Sequence, residues 1–207
     1  MTLSAAEVHK LKLAPPVEGV LPVVLNRWSP RSFSNREVSS ADLRRVFEAA
    51  RWTASAYNEQ PWRYLVGIRN SLTYKKIFST LIGFNQSWAG SAQVLILCVT
   101  STKFSHNGTS NTYAVHDLGA ASSYLTLQAS ALGLSTHQMA GFDQDAARKA
   151  FGIPDSYAFG SVIALGYQGE PSALGHEQLL AAEIEQRSRK ALSEFVLSAW
   201  DTPAELA

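Results

Sequence analysis

An α+β fold is what the sequence predicts. Segments of helical period and three strand-like apolar runs intermix along 207 residues, and no repeat or low-complexity linker divides them. That length suffices for one sizeable core or two small ones, so a single domain over residues 1–207 is expected.

Taken in order, Ser4-x-x-Glu7 has the form of a capping box and opens a short helix carrying Val8 and Leu11, broken at Pro15-Pro16. A second short helix ends near Arg27, because the stretch through Trp28, Pro30 and Ser32 is poor in helix formers. Ser39-x-x-Asp42 caps a third, with Leu43, Val46, Phe47 and Ala50 at helical spacing. Thr53–Pro61 reads as a polar loop, Trp62–Arg69 as a strand, and Leu72–Ile82 as a helix with Ile77, Phe78, Leu81 and Ile82 on one face. Gln93–Thr100 is a buried strand without polar alternation. The hydrophilic Ser101–Thr112, with Asn107-Gly108, reads as a mobile loop. Ala114–Leu132 is the longest helix. Its Gly119, Ala120, Ala121 and Ser122 admit either a flat ring or another helix at close range, and Gly133 follows as its left-handed cap. Asp143 caps a helix ending at Gly152. Ser161–Tyr167 is the third strand, Gln178–Glu185 is helical, and Gln186–Ala207 is a basic and aromatic tail.

Composition excludes several classes of function. Eighteen Lys and Arg against 17 Asp and Glu leave a formal charge of +1, so no global basic field exists to hold nucleic acid or an anionic membrane. Charged residues reach only 17%, so part of the surface is expected to be covered by something other than water. Cys98 stands alone, which rules out an intrachain disulfide and any multi-cysteine metal site. The apolar run Val94–Val99 is far too short to span a bilayer. The first nine residues lack a basic and apolar signal pattern, so a cytoplasmic protein without a secretory signal is expected.

The dinucleotide, P-loop, nucleophile-elbow and zincin motifs are all absent, and the five histidines show no metal-ligand spacing. By elimination, an organic cofactor is a better candidate for the chemistry than a side-chain triad or a metal. Three clusters could serve one. Arg27-x-Ser29-x-Arg31 sets two guanidinium forks and a hydroxyl in a short turn, and Arg187-Ser188-Arg189-Lys190 adds a distant basic group. Together they suit a phosphate, although both also read as solvated surface charge. Ser55 through Trp62 offers Ser, Asn and Gln to a heterocycle edge and Tyr57 and Trp62 as walls, or simply anchors a strand. His137 through Phe142 contains Gly141, whose small size allows close backbone approach, or is a buried connection. His116 and His137 read as packed or surface side chains rather than bases.

In order along the chain, these residues resemble the nitroreductase family. The marks are Arg27-Trp28-Ser29-Pro30-Arg31-Ser32-Phe33, Glu48-Ala49-Ala50-Arg51 and Ser55-x-x-Asn58-x-Gln60-Pro61-Trp62-Arg63. They continue with Asn85-x-x-Trp88, Leu132-Gly133-Leu134, Gly141-Phe142-Asp143 and Arg187-x-Arg189-Lys190, covering roughly residues 23–200. The resemblance implies a mixed central sheet flanked by helices, in a domain-swapped-tail homodimer with FMN at the interface. It implies that Arg27, Trp28, Ser29, Arg31, Arg187 and Arg189 bind the FMN phosphate and ribityl chain. Ser55, Tyr57 and Asn58 would be supplied by the partner subunit, Asn85 would meet the pyrimidine edge, and Gln138, Met139, Ala140 and Gly141 would lie along the ring near N5.

The implied activity is NAD(P)H-dependent reduction of nitroaromatic, quinone or related small-molecule acceptors by ping-pong hydride transfer through flavin N5, with no catalytic side chain and no metal. Two departures stand out. Thr53-Ala54-Ser55 replaces the Ala-Pro-Ser of many relatives, and Ala140 stands where several members carry Glu. A specialised flavin-dependent dehydrogenase or dehalogenase, or a non-catalytic FMN-binding module, are the alternatives.

Overall fold

A computed structural model describes residues 3–205; Met1, Thr2, Leu206 and Ala207, which the expected domain and tail include, lie outside the described residues. Helices α1 (Ala5–Leu11), α2 (Pro22–Asn26) and α3 (Ser40–Arg51) precede β1 (Trp62–Ile68). Then come α4 (Leu72–Thr80), α5 (Gly83–Ala89), β2 (Val94–Ser101), α6 (Ala114–Ala131), β3 (Ser135–Met139), α7 (Gln144–Phe151) and β4 (Tyr157–Gly166). The chain closes with α8 (Glu177–Ile184) and the hairpin β5 (Leu197–Ala199) and β6 (Thr202–Pro203).

The helix starts follow the caps read in the sequence. The Ser4 side chain accepts from the Glu7 amide while the Glu7 carboxylate accepts from the Ser4 amide, which makes the full capping box. Ser39 and Asp143 cap α3 and α7 in the same sense, and α7 stops at Gly152, whose φ of 63° an L side chain would resist.

The four-stranded sheet has the order β1-β2-β4-β3. β2 pairs with β1 and β4 over nearly its whole length, so it is covered on both edges and both faces. That placement accounts for its unbroken apolar run. Alternate residues feed two cores: Leu95, Leu97 and Val99 pack with Ile77, Leu81 and Trp88, while Val94, Ile96 and Cys98 pack with Val46, Leu118 and Leu125. Burial of a Leu such as Leu125, fully covered, is the kind of contact whose truncation to Ala costs about 2–5 kcal/mol.

The α+β class and the helix-flanked sheet hold. Within one chain, however, every pairing in that sheet is antiparallel, so the mixed sheet implied by the resemblance would require a strand from elsewhere. Among the described residues the remaining strands, β5 and β6, pair only with each other. Three further differences matter for the site. The expected helix over 72–82 ends at Thr80; Leu81 turns extended and bridges Phe142, and α5 then begins, bringing Asn85 and Trp88 inward. The expected 137–142 connection is strand over its first half: β3 pairs with β4 from Ser135↔Gly166 to Met139↔Val162. Its Ser-Thr-His-Gln sequence has little strand character of its own, and long-range pairing decides its conformation. Finally, the 101–112 excursion is cross-braced by a Lys103↔Ser110 bridge and by Glu59, whose carboxylate accepts from the Ser105 amide and hydroxyl.

Candidate functional site

The turn between α2 and Phe33 is held from several sides. Arg187 reaches back from beyond α8 and donates through Nη1 to the Arg27 carbonyl (2.7 Å) and through Nη2 to the Leu25 carbonyl (2.5 Å). His137 on β3 donates from Nδ1 to the Pro30 carbonyl (3.1 Å) while its ring tilts against Trp88 at 4.6 Å. The Glu183 carboxylate accepts from the Arg31 amide (2.9 Å) and the Ser32 amide (3.2 Å). Past the turn, Ser32 Oγ donates to the Glu170 carbonyl and Phe33 bridges Gln168, fixing the exit to the end of β4. Trp28 is buried, with the Lys12 ammonium 5.1 Å above its indole.

This scaffold concentrates positive charge. Arg27 Nη1 donates to Ser29 Oγ at 3.1 Å. Burial pushes the Arg27 guanidinium below its ordinary pKa, and the like charges of Arg187 and Arg189 push it the same way. Arg187 is lowered by burial and by Arg189. Among the described residues no carboxylate forms an ion pair with the side chain of Arg27, Arg31, Arg187 or Arg189. Two of their buried nitrogens, Nε of Arg31 and of Arg187, have no hydrogen-bond partner. Like charges are thus held together, and the nearby carboxylate of Glu183 is bonded to the Arg31 and Ser32 amides rather than paired with a guanidinium, an arrangement that an anion with several oxygens would relieve. Beside them opens a cavity of about 650 Å³, walled by Leu11, Val24 and Leu25 and by Arg187 and Arg189.

His137 is not a base in this setting. Burial, chiefly, and the nearby Arg31 charge pull its pKa down to about 4, so the ring is neutral near pH 7 and serves as a donor to Pro30. His116 is exposed beside Asp117.

Next to the cationic turn lies the second group of candidate residues. Gln138 is bonded to Thr126 (3.3 Å) and accepts from Ser161 (2.9 Å), Met139 is buried, and Ala140 is exposed. Asn85 donates from Nδ2 to the Gly141 carbonyl (2.8 Å). A Cβ on Gly141 would stand 2.6 Å from Ile82 Cδ1 and 2.8 Å from Asn85 Nδ2. The close approach expected of this glycine is therefore made, in the first place, to the chain's own α5.

The third group is elsewhere. Ser55, Tyr57 and Asn58 precede β1, on the opposite edge of the sheet from β3. Tyr57 and Asn58 are exposed and take positive φ of 53° and 54°, and Gln60 has 50°. The Ala56 amide donates to Asp117 at 3.0 Å, and Tyr57 packs edge-on against Phe104 at 5.5 Å. One chain thus brings Arg27, Trp28, Ser29, Arg31, Arg187 and Arg189 together, sets Asn85 and residues 138–141 beside them across β3, and leaves Ser55, Tyr57 and Asn58 apart. Sequence reasoning missed Lys12, Glu183 and the donor role of His137. All three act through tertiary contacts that no local motif marks.

Comparison with known proteins gives this geometry its context. The profile of the nitroreductase family matches residues 24–81 and 78–167. A protein of Archaeoglobus fulgidus, named "Putative NADH dehydrogenase/NAD(P)H nitroreductase", is 29% identical over 157 residues, covering 73% of this chain and 86% of its own. The NADH dehydrogenase of Thermus thermophilus is 27% identical, over 77% of this chain and 95% of its own. A crystal structure described as an oxidoreductase containing FMN superposes with a TM-score of 0.79 at 29% identity, over 90% of this chain and 93% of the other. With the profile spanning more than half of its residues, the chain belongs to the nitroreductase family.

Proposed function

We propose that this member of the family is an FMN-dependent NAD(P)H oxidoreductase acting on nitroaromatic, quinone or related acceptors. One observation carries the proposal: Arg27, Arg187 and Arg189, from opposite ends of the sequence, converge, and among the described residues no carboxylate forms an ion pair with them or with Arg31 in the same turn. A phosphate dianion on a mononucleotide tail is the complement such a cluster calls for. Arg27, Arg31, Arg187 and Arg189, with Ser29, would hold the phosphate and ribityl chain, and the residues present fit that role. Asn85 and residues 138–141 would lie along the ring system, where Asn85 is already oriented by Gly141. When bound, the flavin would supply reversible hydride acceptance at N5, taking hydride from the nicotinamide and passing it to the acceptor in ping-pong order. The chain's own part is to grip the phosphate, to set the ring against β3 and to keep water from the covered face.

The site is completed, in this reading, by a second copy, with residues 1–207 forming one FMN-binding domain. Tyr57 and Trp200 are 85% and 87% exposed, and Tyr113 at the cap of α6 and Val115 and Tyr124 within it face solvent. So much apolar surface in one chain supports a homodimer in which Ser55, Tyr57 and Asn58 reach the partner's flavin and the tail crosses over. Among the described residues no helix is long and apolar enough to cross a membrane.

The test is the absorption spectrum of the purified protein before and after anaerobic NADH or NADPH. Yellow protein that bleaches with either nucleotide, and sediments as a dimer, is the expected result. Colourless protein that ignores added FMN ends the proposal. Flavin that binds but resists both nucleotides would favour a non-catalytic module or a more specialised enzyme of the same fold.

A further inference from the structure

Beneath the cationic turn sits a pair of charged side chains that the flavin-binding reading does not use. Lys12, only 4% exposed, lies ahead of the family match that begins at residue 24. Its ammonium donates to the carbonyls of Ala182 (3.4 Å) and Glu185 at the end of α8, a favourable place for a cation. Glu183, 1% exposed, points from the same turn of α8 to the Arg31 and Ser32 amides. Each charge attracts the other, and both lie within the field of Arg31. Burial pushes the Glu183 carboxyl above its ordinary pKa, and the Arg31 and Ser32 amides, followed by the Arg31 and Lys12 charges, oppose that shift. Two residues beyond Glu183, the chain leaves α8 for Arg187. The N-terminal segment and the Arg27–Ser32 turn are therefore both tied to the end of α8, at the root of the tail, one through Lys12 and the other through Glu183.

We infer that Lys12 and Glu183 are positioning residues that fix the Arg27–Ser32 turn relative to Arg187 and Arg189, and so set the geometry with which the site takes a phosphate. This rests on the FMN reading, and it concerns residues that touch no ligand themselves. Preset arginine geometry determines how many bonds a phosphate forms at once, whereas the flavin ring, held by β3 and α5, is indifferent to it.

The experiment titrates flavin-stripped full-length protein with FMN and with riboflavin, which lacks the phosphate, following flavin fluorescence. Lys12→Met and Glu183→Gln should each weaken FMN about tenfold and leave riboflavin within about twofold. Their double variant should be scarcely worse than either one, and Lys12→Arg should restore affinity. The sign for Glu183→Gln is decisive. If the pair acted only as charges at a distance, removing the acid would tighten FMN; a tighter complex overturns the inference. So do equal losses for FMN and riboflavin, which would mean general loosening, or no change in either. Should Glu183→Gln fail to fold, Glu183→Asp keeps the charge but withdraws it from the two amides, and the same phosphate-selective loss is expected. If the parent protein takes up neither flavin, the functional reading fails and inorganic pyrophosphate decides the inference alone. A thermal stabilisation that Lys12→Met and Glu183→Asp abolish upholds it; no stabilisation, or one that survives both, refutes it.

Discussion

The two halves of the proposed site are built on opposite principles. The Arg27–Ser32 turn is gripped from β3, from α8 and from the tail, which bond the Arg27 and Pro30 carbonyls and the Arg31 and Ser32 amides. Its unfavourable feature is electrostatic: like charges crowded together. The Ser55–Gln60 loop, at the far edge of the sheet, carries its cost in the backbone, with three L residues in the left-handed region and an aromatic ring in water. In the proposed reading, the first half would be completed by an anion. The second displays Asn58 and the Tyr57 ring outward, the ring held only along its edge by Phe104. Preorganised charge and stored backbone strain are two ways in which a fold bears the cost of a function it cannot complete alone.

Removing a charge from the first half should have the largest effect. Arg27→Ala is expected to weaken FMN binding about 100-fold, or about 2.7 kcal/mol, with riboflavin little changed. Asn58→Ala, in the second half, should weaken both flavins alike and by less. If fluorescence titration shows the same loss for FMN and riboflavin in Arg27→Ala, the arginine turn does not hold a phosphate. Next in size is a pH effect confined to the first half. His137 has a pKa of about 4 in the folded chain against 6.5 when free, so between those values the unfolded chain binds more protons. Stability is fully present above pH 6.5 and is lost as pH falls toward 4, by an amount on the order of 2 kcal/mol once residual solvent contact is included. Thermal unfolding across that window should show the decline, and His137→Gln should flatten it.

Why the halves differed in legibility follows from what each depends on. The Arg-x-Ser-x-Arg turn, the caps at Ser4, Ser39 and Asp143, and the twice-buried β2 declare themselves through residue type and local spacing. By contrast, β3 has no period of its own and exists because β4 offers it a partner, and the expected helix overruns the end of α4 because Leu81 and Ile82 extend the same apolar face, while α5 carries no signal that marks it. The separation of Ser55, Tyr57 and Asn58 from the arginines depends on strand order, which no local pattern encodes. In the sequence, Glu183 is one acid among several in a short helix. Only its position against two amides 150 residues earlier gives it a role.

Between the halves, Gly141 probes the ring-facing segment. A methyl group there meets Ile82 Cδ1 at 2.6 Å and Asn85 Nδ2 at 2.8 Å, so both side chains must move aside. Gly141→Ala should destabilise the fold by about 1–2 kcal/mol and weaken FMN and riboflavin equally, since it displaces Asn85 and leaves the arginines in place. A phosphate-selective loss would show that residues 138–141 and the arginine turn are coupled more tightly than their separate anchoring suggests.

The smallest effect has the opposite sign, and it tests the strain assigned to the second half. Gln60 holds φ at 50°, a region that disfavours an L residue by about 1–2 kcal/mol, while glycine there forgoes that strain but gives up about 0.5–1 kcal/mol of chain entropy. The Gln60 amide, which bonds Ser55 Oγ, and its carbonyl, which accepts from Arg63, belong to the backbone and survive the substitution. Only an exposed bond from the side-chain amide to the Asn58 carbonyl is lost, and water replaces it readily. Gln60→Gly should therefore raise stability by about 0.5 kcal/mol in chemical denaturation, the reverse of every substitution proposed for the arginine turn. A loss of stability would mean that the left-handed backbone is supported by the glutamine side chain, and the contrast between a finished half and a strained one would no longer stand.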